Sequence, residues 1–167
     1  MISIFAQIRK HPKGLLTLFL TELWERFSYY GMRAILVLYL VSEHNQSNPG
    51  LGWSNTEAIK LYGWYTALVY LACVPGGIIG DKFLSNRDAV SIGGAFLCIG
   101  HLSLAIQNQT FFFVGLILII TGVGLLKPNI STLVGQLYKE NDERRDQGFT
   151  IFYIGIIRFF SFIRIPY

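Results

Sequence analysis

The apolar run from Gly14 to Val41 is long enough to cross a lipid bilayer, yet it carries Glu22, Glu25, Arg26 and Arg33 in its interior. At about 100° per residue, Glu22, Glu25, Arg26, Tyr29, Tyr30 and Arg33 fall within an arc of roughly 140° on a helix. Leu20, Trp24, Phe27, Gly31 and Ile35 take the other side. A charged side chain at a bilayer centre costs about 2.5–3.5 kcal/mol on insertion scales, so such a stripe persists only where it faces protein or a water-filled cavity. The stripe is therefore a candidate functional site before anything else is known of the chain.

Composition agrees with a membrane setting. Over 167 residues the chain is 52% hydrophobic and 14% charged, with a mean hydropathy of +0.45, whereas charged residues make up about 25% of an ordinary soluble domain. Apolar segments at about 14–42, 57–80, 89–107, 111–137 and 148–165 predict five membrane-crossing helices. A polar stretch from Ser42 to Thr56 reads as an external loop with Trp53 at its interface, and Asn108-Gln-Thr110 forces a tight hairpin between the third and fourth helices. The run after Arg9, Lys10 and Lys13 imitates a signal peptide, but its charges interrupt the apolar region, so it reads as a retained first span.

The net charge of +4 comes without a basic run or interleaved aromatic and basic residues, which excludes nucleic acid as the natural partner. Arg9, Lys10, Lys13, Lys82, Arg87, Lys139, Arg144 and Arg145 would share one face, while the opposite loops offer only Lys60. The positive-inside rule then predicts a cytoplasmic N-terminus and a multi-pass protein of the plasma (inner) membrane. Cys73 and Cys98 sit inside apolar runs as packing residues, with no metal-ligand spacing around them. His101 is expected to hydrogen-bond between helices rather than carry a proton.

Depth ties two distant segments together. Glu25 and Lys127 each lie about 11 residues from the predicted cytoplasmic end of their helices, which places both at roughly 17 Å depth at 1.5 Å per residue. A lysine stem cannot reach the interface from there, so Lys127 should face the first helix. Gly122, Gly124 and Pro128 beside it permit close helix approach and free a backbone carbonyl. Glu22 and Glu25 raise one another's proton affinity while Arg26 and Lys127 lower it, competing effects that poise a carboxylate to titrate and to change charge pairing. A static cluster that only fixes helix packing is the alternative. Tyr29, Tyr30, Tyr70 and Arg33 add hydroxyls, ring faces and a cation suited to a zwitterionic ligand. Gly76-Gly77-Ile-Ile-Gly80-Asp81, followed by Arg87, reads as a gate latch in which Asp81 accepts from a helix end or a nearby arginine.

Four blocks, His11-Pro-Lys-Gly-Leu15, Glu22-x-x-Glu25-Arg26-Phe-Ser-Tyr-Tyr-Gly31, Gly76-Gly77-x-x-x-Asp81 and Gly124-Leu-Leu-Lys-Pro-Asn-Ile-Ser131, resemble the proton-dependent oligopeptide transporter family of the major facilitator superfamily. The resemblance implies an all-α membrane fold, with five transmembrane helices of an incomplete N-terminal six-helix bundle. It implies import of di- and tripeptides driven by protons as coupling ion, with no other cofactor, no metal and no enzymatic activity. Carried over by motif are Glu22, Glu25 and Arg26 for proton coupling, Tyr29, Tyr30, Arg33, Tyr70 and Lys127 for the peptide cavity, and Asp81 with Arg87 for the gate. The partner expected for Lys127, an acidic residue on a second bundle, is not in this chain. Residues 1–156 are expected to form a partial N-terminal bundle. From Ile157 the resemblance stops, Arg158 and Arg164 intrude on an apolar span, and 157–167 reads as an aberrant tail left by a frameshift or a mispredicted gene boundary. Ser85 stands where a second loop glycine is expected. On this reading the chain does not transport unaided. The alternative is a membrane interaction protein that docks with a full-length relative or a complementary fragment.

Overall fold

The computed structural model describes residues 10–44 and 49–163, with only the backbone at 155 and 158–163. Arg9, Arg164, the side chain of Arg158 and the central residues of the first loop lie outside this description. Among the described residues there are five helices: α1 Lys13–Val41, α2 Asn55–Lys82, α3 Asn86–Leu104, α4 Gln109–Gln136 and α5 Arg144–Ile163. Each matches one predicted apolar segment. α5 continues helically past Ile157, where the family pattern was expected to end.

Several helices begin earlier than apolarity alone suggests, because polar residues cap them. Ser54 and Glu57 form a capping box on α2: the Glu57 amide donates to Ser54 Oγ at 3.3 Å and the Ser54 amide to Glu57 Oε2 at 3.1 Å. Ser85 caps α3, accepting from the Asp88 amide at 3.1 Å with φ −75°, so no glycine is needed at that loop position. Asn108 Oδ1 accepts from the amides of Thr110 and Phe111 at the start of α4. Asp142 Oδ1 accepts from the Arg144 amide at 3.0 Å where α5 begins. A cap satisfies amides that have no partner inside the helix, and this extends each helix into a polar stretch.

By length and apolarity, α2 and α4 each suffice to cross a membrane. The remaining helices carry charge that lowers their mean hydropathy, in α1 along the stripe and in α3 and α5 at their first turns. On α1 the buried positions are Leu15, Phe19, Glu22, Glu25, Tyr29, Met32, Leu36 and Leu40, one stripe at three- and four-residue spacing. Trp24, Phe27, Ile35 and Leu38 on its other side are more than half exposed, as an apolar solvent permits.

The chain divides into two compact units, Glu25–Asn129 and Met1–Trp24 with Ile130–Tyr167, so that α1 and α4 run through both. In the first of these, α4 is the most enclosed helix: Gly122 to Leu126 are buried on consecutive positions, which covers every side of that turn. Two crossings make this possible. A Cβ built on Gly93 would lie 2.7 Å from the Gly122 carbonyl oxygen, and one on Gly122 would lie 2.8 Å from that of Gly93. At the α2 crossing a Cβ on Gly76 would overlap the Gly124 carbonyl, and one on Gly124 would stand 2.7 Å from the Ala72 oxygen. Pro128 has no amide hydrogen to offer Gly124, four residues earlier, so that freed carbonyl lies against Gly76.

In the second unit, His11 Nδ1 lies 2.9 Å from the Tyr138 hydroxyl with the rings edge-to-face. Arg144 grips Asp142 with Nε at 3.0 Å and Nη2 at 2.7 Å, and these bonds hold the Asp142 carboxyl down at a pKa of about 2. Burial, then the charge of Arg144, pushes the His11 imidazole below its usual pKa. Tyr138 also packs on Gly148, where a side chain would overlap its hydroxyl.

The crossings make one test direct. Gly76→Ala is expected to destabilise the protein by about 1–3 kcal/mol through overpacking against backbone. Gly31→Ala, with open space around the added carbon, should be neutral or slightly stabilising. Reversible unfolding in mixed micelles measures both, and equal behaviour of the two variants would remove the crossing from the account.

Candidate functional site

The charged stripe of α1 acquires its partner from α4. Lys127 Nζ donates to Glu25 Oε1 at 3.5 Å, with the Glu25 side chain 1% exposed and that of Lys127 22% exposed. Lys127 therefore faces the first helix, as expected, and meets Glu25 there. The same ammonium lies 5.2 Å from the Tyr29 ring centroid. Tyr29 is buried, packs edge-to-face on Tyr30 at 5.6 Å and tilted against Tyr65 at 6.4 Å. Arg33 also approaches Tyr29, its guanidinium carbon 5.4 Å from the ring centroid. One tyrosine ring thus has two cations within reach of its π-system.

The other predicted residues are placed as follows. Glu22 is buried one helical turn before Glu25, and Arg26 follows Glu25 at intermediate burial on the same helix. Tyr30 is 44% and Tyr70 56% exposed, so both sit at the open side of their helices rather than in the packed core. Asp81 accepts from Asn86 Nδ2 at 3.2 Å, while Arg87 is exposed and contributes its carbonyl to Ser91. Among the described residues, no ion pair joins Asp81 to Arg87. The cap at Ser85 starts α3 at Asn86, and that fixes Asn86 as the residue closest to the aspartate. His101 bonds to the Leu97 carbonyl of its own helix at 2.7 Å, a correction to the interhelical bond expected for it.

Asn129 was not singled out by the sequence. It is 1% exposed, and its Nδ2 donates to the Gly76 carbonyl at 3.1 Å and to the Leu125 carbonyl at 2.7 Å. Its Oδ1 accepts from Asn86 Nδ2 at 2.8 Å, and Gly80 lacks the side chain that would collide with it. One amide thereby ties α4 to α2 and to the first turn of α3, and through Asn86 to Asp81. A polar residue next to an intrahelical proline, inside an apolar run, was the available signal. Tyr62 and Tyr65 were also missed: Tyr62 accepts from Arg33, and Tyr65 is 2% exposed with no hydrogen-bond partner for its hydroxyl among the described residues. Both lie on the polar side of α2 one turn apart, a spacing that sequence reading did not use.

Helices buried against one another through glycine crossings, with paired charges and tyrosines on their inner faces, are the equipment of a membrane transporter. Residues 87–159 match the family model described as the POT family. The chain is 51% identical over 146 residues to a di-/tripeptide transporter of Lactococcus lactis subsp. lactis, 49% over 147 residues to the uncharacterized transporter YclF of Bacillus subtilis, and 42% over 149 residues to the peptide transporter YePEPT of Yersinia enterocolitica. Each alignment covers 87% of this chain and 29–30% of the relative. A crystal structure of the peptide transporter POT in complex with sulfate superposes with a TM-score of 0.83 at 50% identity, and a POT family transporter in complex with 5-aminolevulinic acid with 0.82 at 45%. Each covers 87% of this chain and 30% of the other. The chain is similar to the POT family, and it spans about 30% of the length of the relatives it matches.

The Asn129 junction yields a measurable expectation. Asn129→Leu leaves the Gly76 carbonyl and the Asn86 amide without this partner and should lower stability by about 1–3 kcal/mol in reversible unfolding. A shift under about 0.5 kcal/mol would mean that the amide is not what joins these helix ends.

Proposed function

We propose that this chain is the N-terminal part of a proton-coupled di- and tripeptide symporter. The observation that carries the reading is the buried Glu25–Lys127 pair, set beside Tyr29 and Arg33 on the inner face of α1 in a POT-family fold. Glu22, Glu25 and Arg26 couple protons: a proton on Glu25 cancels its charge and loosens its hold on Lys127, changing the pairing that favours one conformation. Tyr29, Tyr30, Arg33, Tyr70 and Lys127 line the peptide cavity, whose amphipathic and cationic groups suit the ends and side chains of a short peptide. The exposure of Tyr30 and Tyr70 supports this, because a ligand-facing ring must remain reachable. Asp81, with Asn86 as its bonded neighbour and Arg87 nearby, closes the cytoplasmic ends of α2 and α3.

The protein is a transporter rather than an enzyme. It crosses the plasma (inner) membrane several times with its N-terminus cytoplasmic, as the basic residues at the start of α1, the α2–α3 turn and the α4–α5 loop support. Residues 1–156 supply part of one bundle. Alternating access uses two bundles about the site, and the described residues correspond to part of one.

The test is labelled-dipeptide uptake into peptide-uptake-deficient bacteria expressing this chain alone or together with the remaining two thirds of a peptide transporter of the family. Uptake is expected only in combination, and its abolition is expected both with a protonophore and with Glu25→Gln. Uptake that ignores the proton gradient, or its absence from the combination as well, would contradict the proposal.

A further inference from the structure

Two cations flank Tyr29, and they are held in different ways. Lys127 meets a carboxylate, whereas Arg33 is held by neutral groups: Nε donates to the Tyr62 hydroxyl at 3.0 Å, and Nη2 donates to the same oxygen. The guanidinium carbon also lies 4.9 Å from the Tyr62 ring centroid and 5.4 Å from that of Tyr29. Among the described residues no carboxylate pairs with Arg33. A guanidinium carries five N–H donors in a rigid planar fork, so two bonds to one oxygen fix its plane and leave the other donors directed elsewhere. Because the partner is neutral, the positive charge of Arg33 is not cancelled.

We propose that Tyr62 is a positioning residue that clamps the Arg33 guanidinium between two tyrosine rings and so aims its remaining donors at an anionic group of the ligand. The use of that charge rests on the reading of Arg33 as a peptide-cavity residue, while the clamp does not. A tyrosine that served packing alone would be replaceable by phenylalanine, since the ring is what packs. Here the hydroxyl accepts both bonds, so Tyr62→Phe separates the two roles.

The experiment uses the full chain in detergent micelles, with phenylglyoxal as the arginine probe and mass spectrometry of the resulting peptides. Tyr62→Phe is expected to raise the modification rate of Arg33 about three- to tenfold, as release from a charge-assisted bond should, while the rates at Arg26 and at exposed Arg87 stay unchanged. In the reciprocal measurement Arg33→Gln should raise acetylation of Tyr62 by N-acetylimidazole without affecting Tyr39. This arm decides the matter if the first variant does not fold. Unchanged rates at Arg33 and Tyr62, or a parallel rise at Arg26 that marks general loosening, would overturn the clamp. Neither readout involves transport, so failure of the peptide reading and failure of the clamp are distinguishable.

Discussion

The ion pair between Glu25 and Lys127 is the constraint on which the arrangement of α1 against α4 depends. A carboxylate that is 1% exposed loses nearly all of its hydration, and its electrostatic compensation comes from an ammonium more than a hundred residues away in sequence. A buried charge that loses its partner is costly, so the two helices keep these positions level. The rest of the α1 stripe follows from that registration. Tyr29, one turn beyond Glu25, comes to lie 5.2 Å from Lys127 Nζ, and Arg33, one turn further, lies 5.4 Å from the same ring.

Such an approach also requires that α4 come close to its other neighbours, and small residues arrange this. The Gly122–Gly93 and Gly124–Gly76 crossings bring backbones into contact on two sides of the turn that precedes Lys127. Pro128, placed immediately after the lysine, releases the Gly124 carbonyl at the α2 crossing. Asn129 then takes up the Gly76 carbonyl and the Asn86 side chain. Three consecutive residues, Lys127, Pro128 and Asn129, thus join α4 to α1, α2 and α3 respectively by charge, by a missing hydrogen bond and by an amide. The chemistry proposed for the site uses the same joints: a change in the charge of Glu25 acts on the one residue whose neighbours fix the ends of two further helices.

The helices and the Glu25–Lys127 contact were legible in the sequence because both obey one-dimensional rules. Apolar length marks the helices, and counting residues from their predicted cytoplasmic ends shows which positions lie level. The lateral placement of α2 against α1 does not obey such a rule. Tyr62 is one of 9 tyrosines, and nothing in its local sequence distinguishes a ring that meets Arg33 from one that meets lipid. Tyr70, singled out beside it, proves more than half exposed. The same limit applies to Asp81: its neighbour is decided by where α3 starts, and the Ser85 cap selects Asn86 rather than Arg87. For Asn129 the cue was present, a buried amide beside a proline, but its partners belong to two other helices and become visible only once those are packed.

The central claim, that Glu25 and Lys127 hold one another, is tested most directly by a double-mutant cycle of Glu25→Gln and Lys127→Met in reversible micellar unfolding. Each single variant leaves the opposite charge without this partner and should cost about 3–5 kcal/mol, whereas the double variant should cost less than the sum by more than about 1 kcal/mol. Losses that add to within about 0.5 kcal/mol would contradict the pairing.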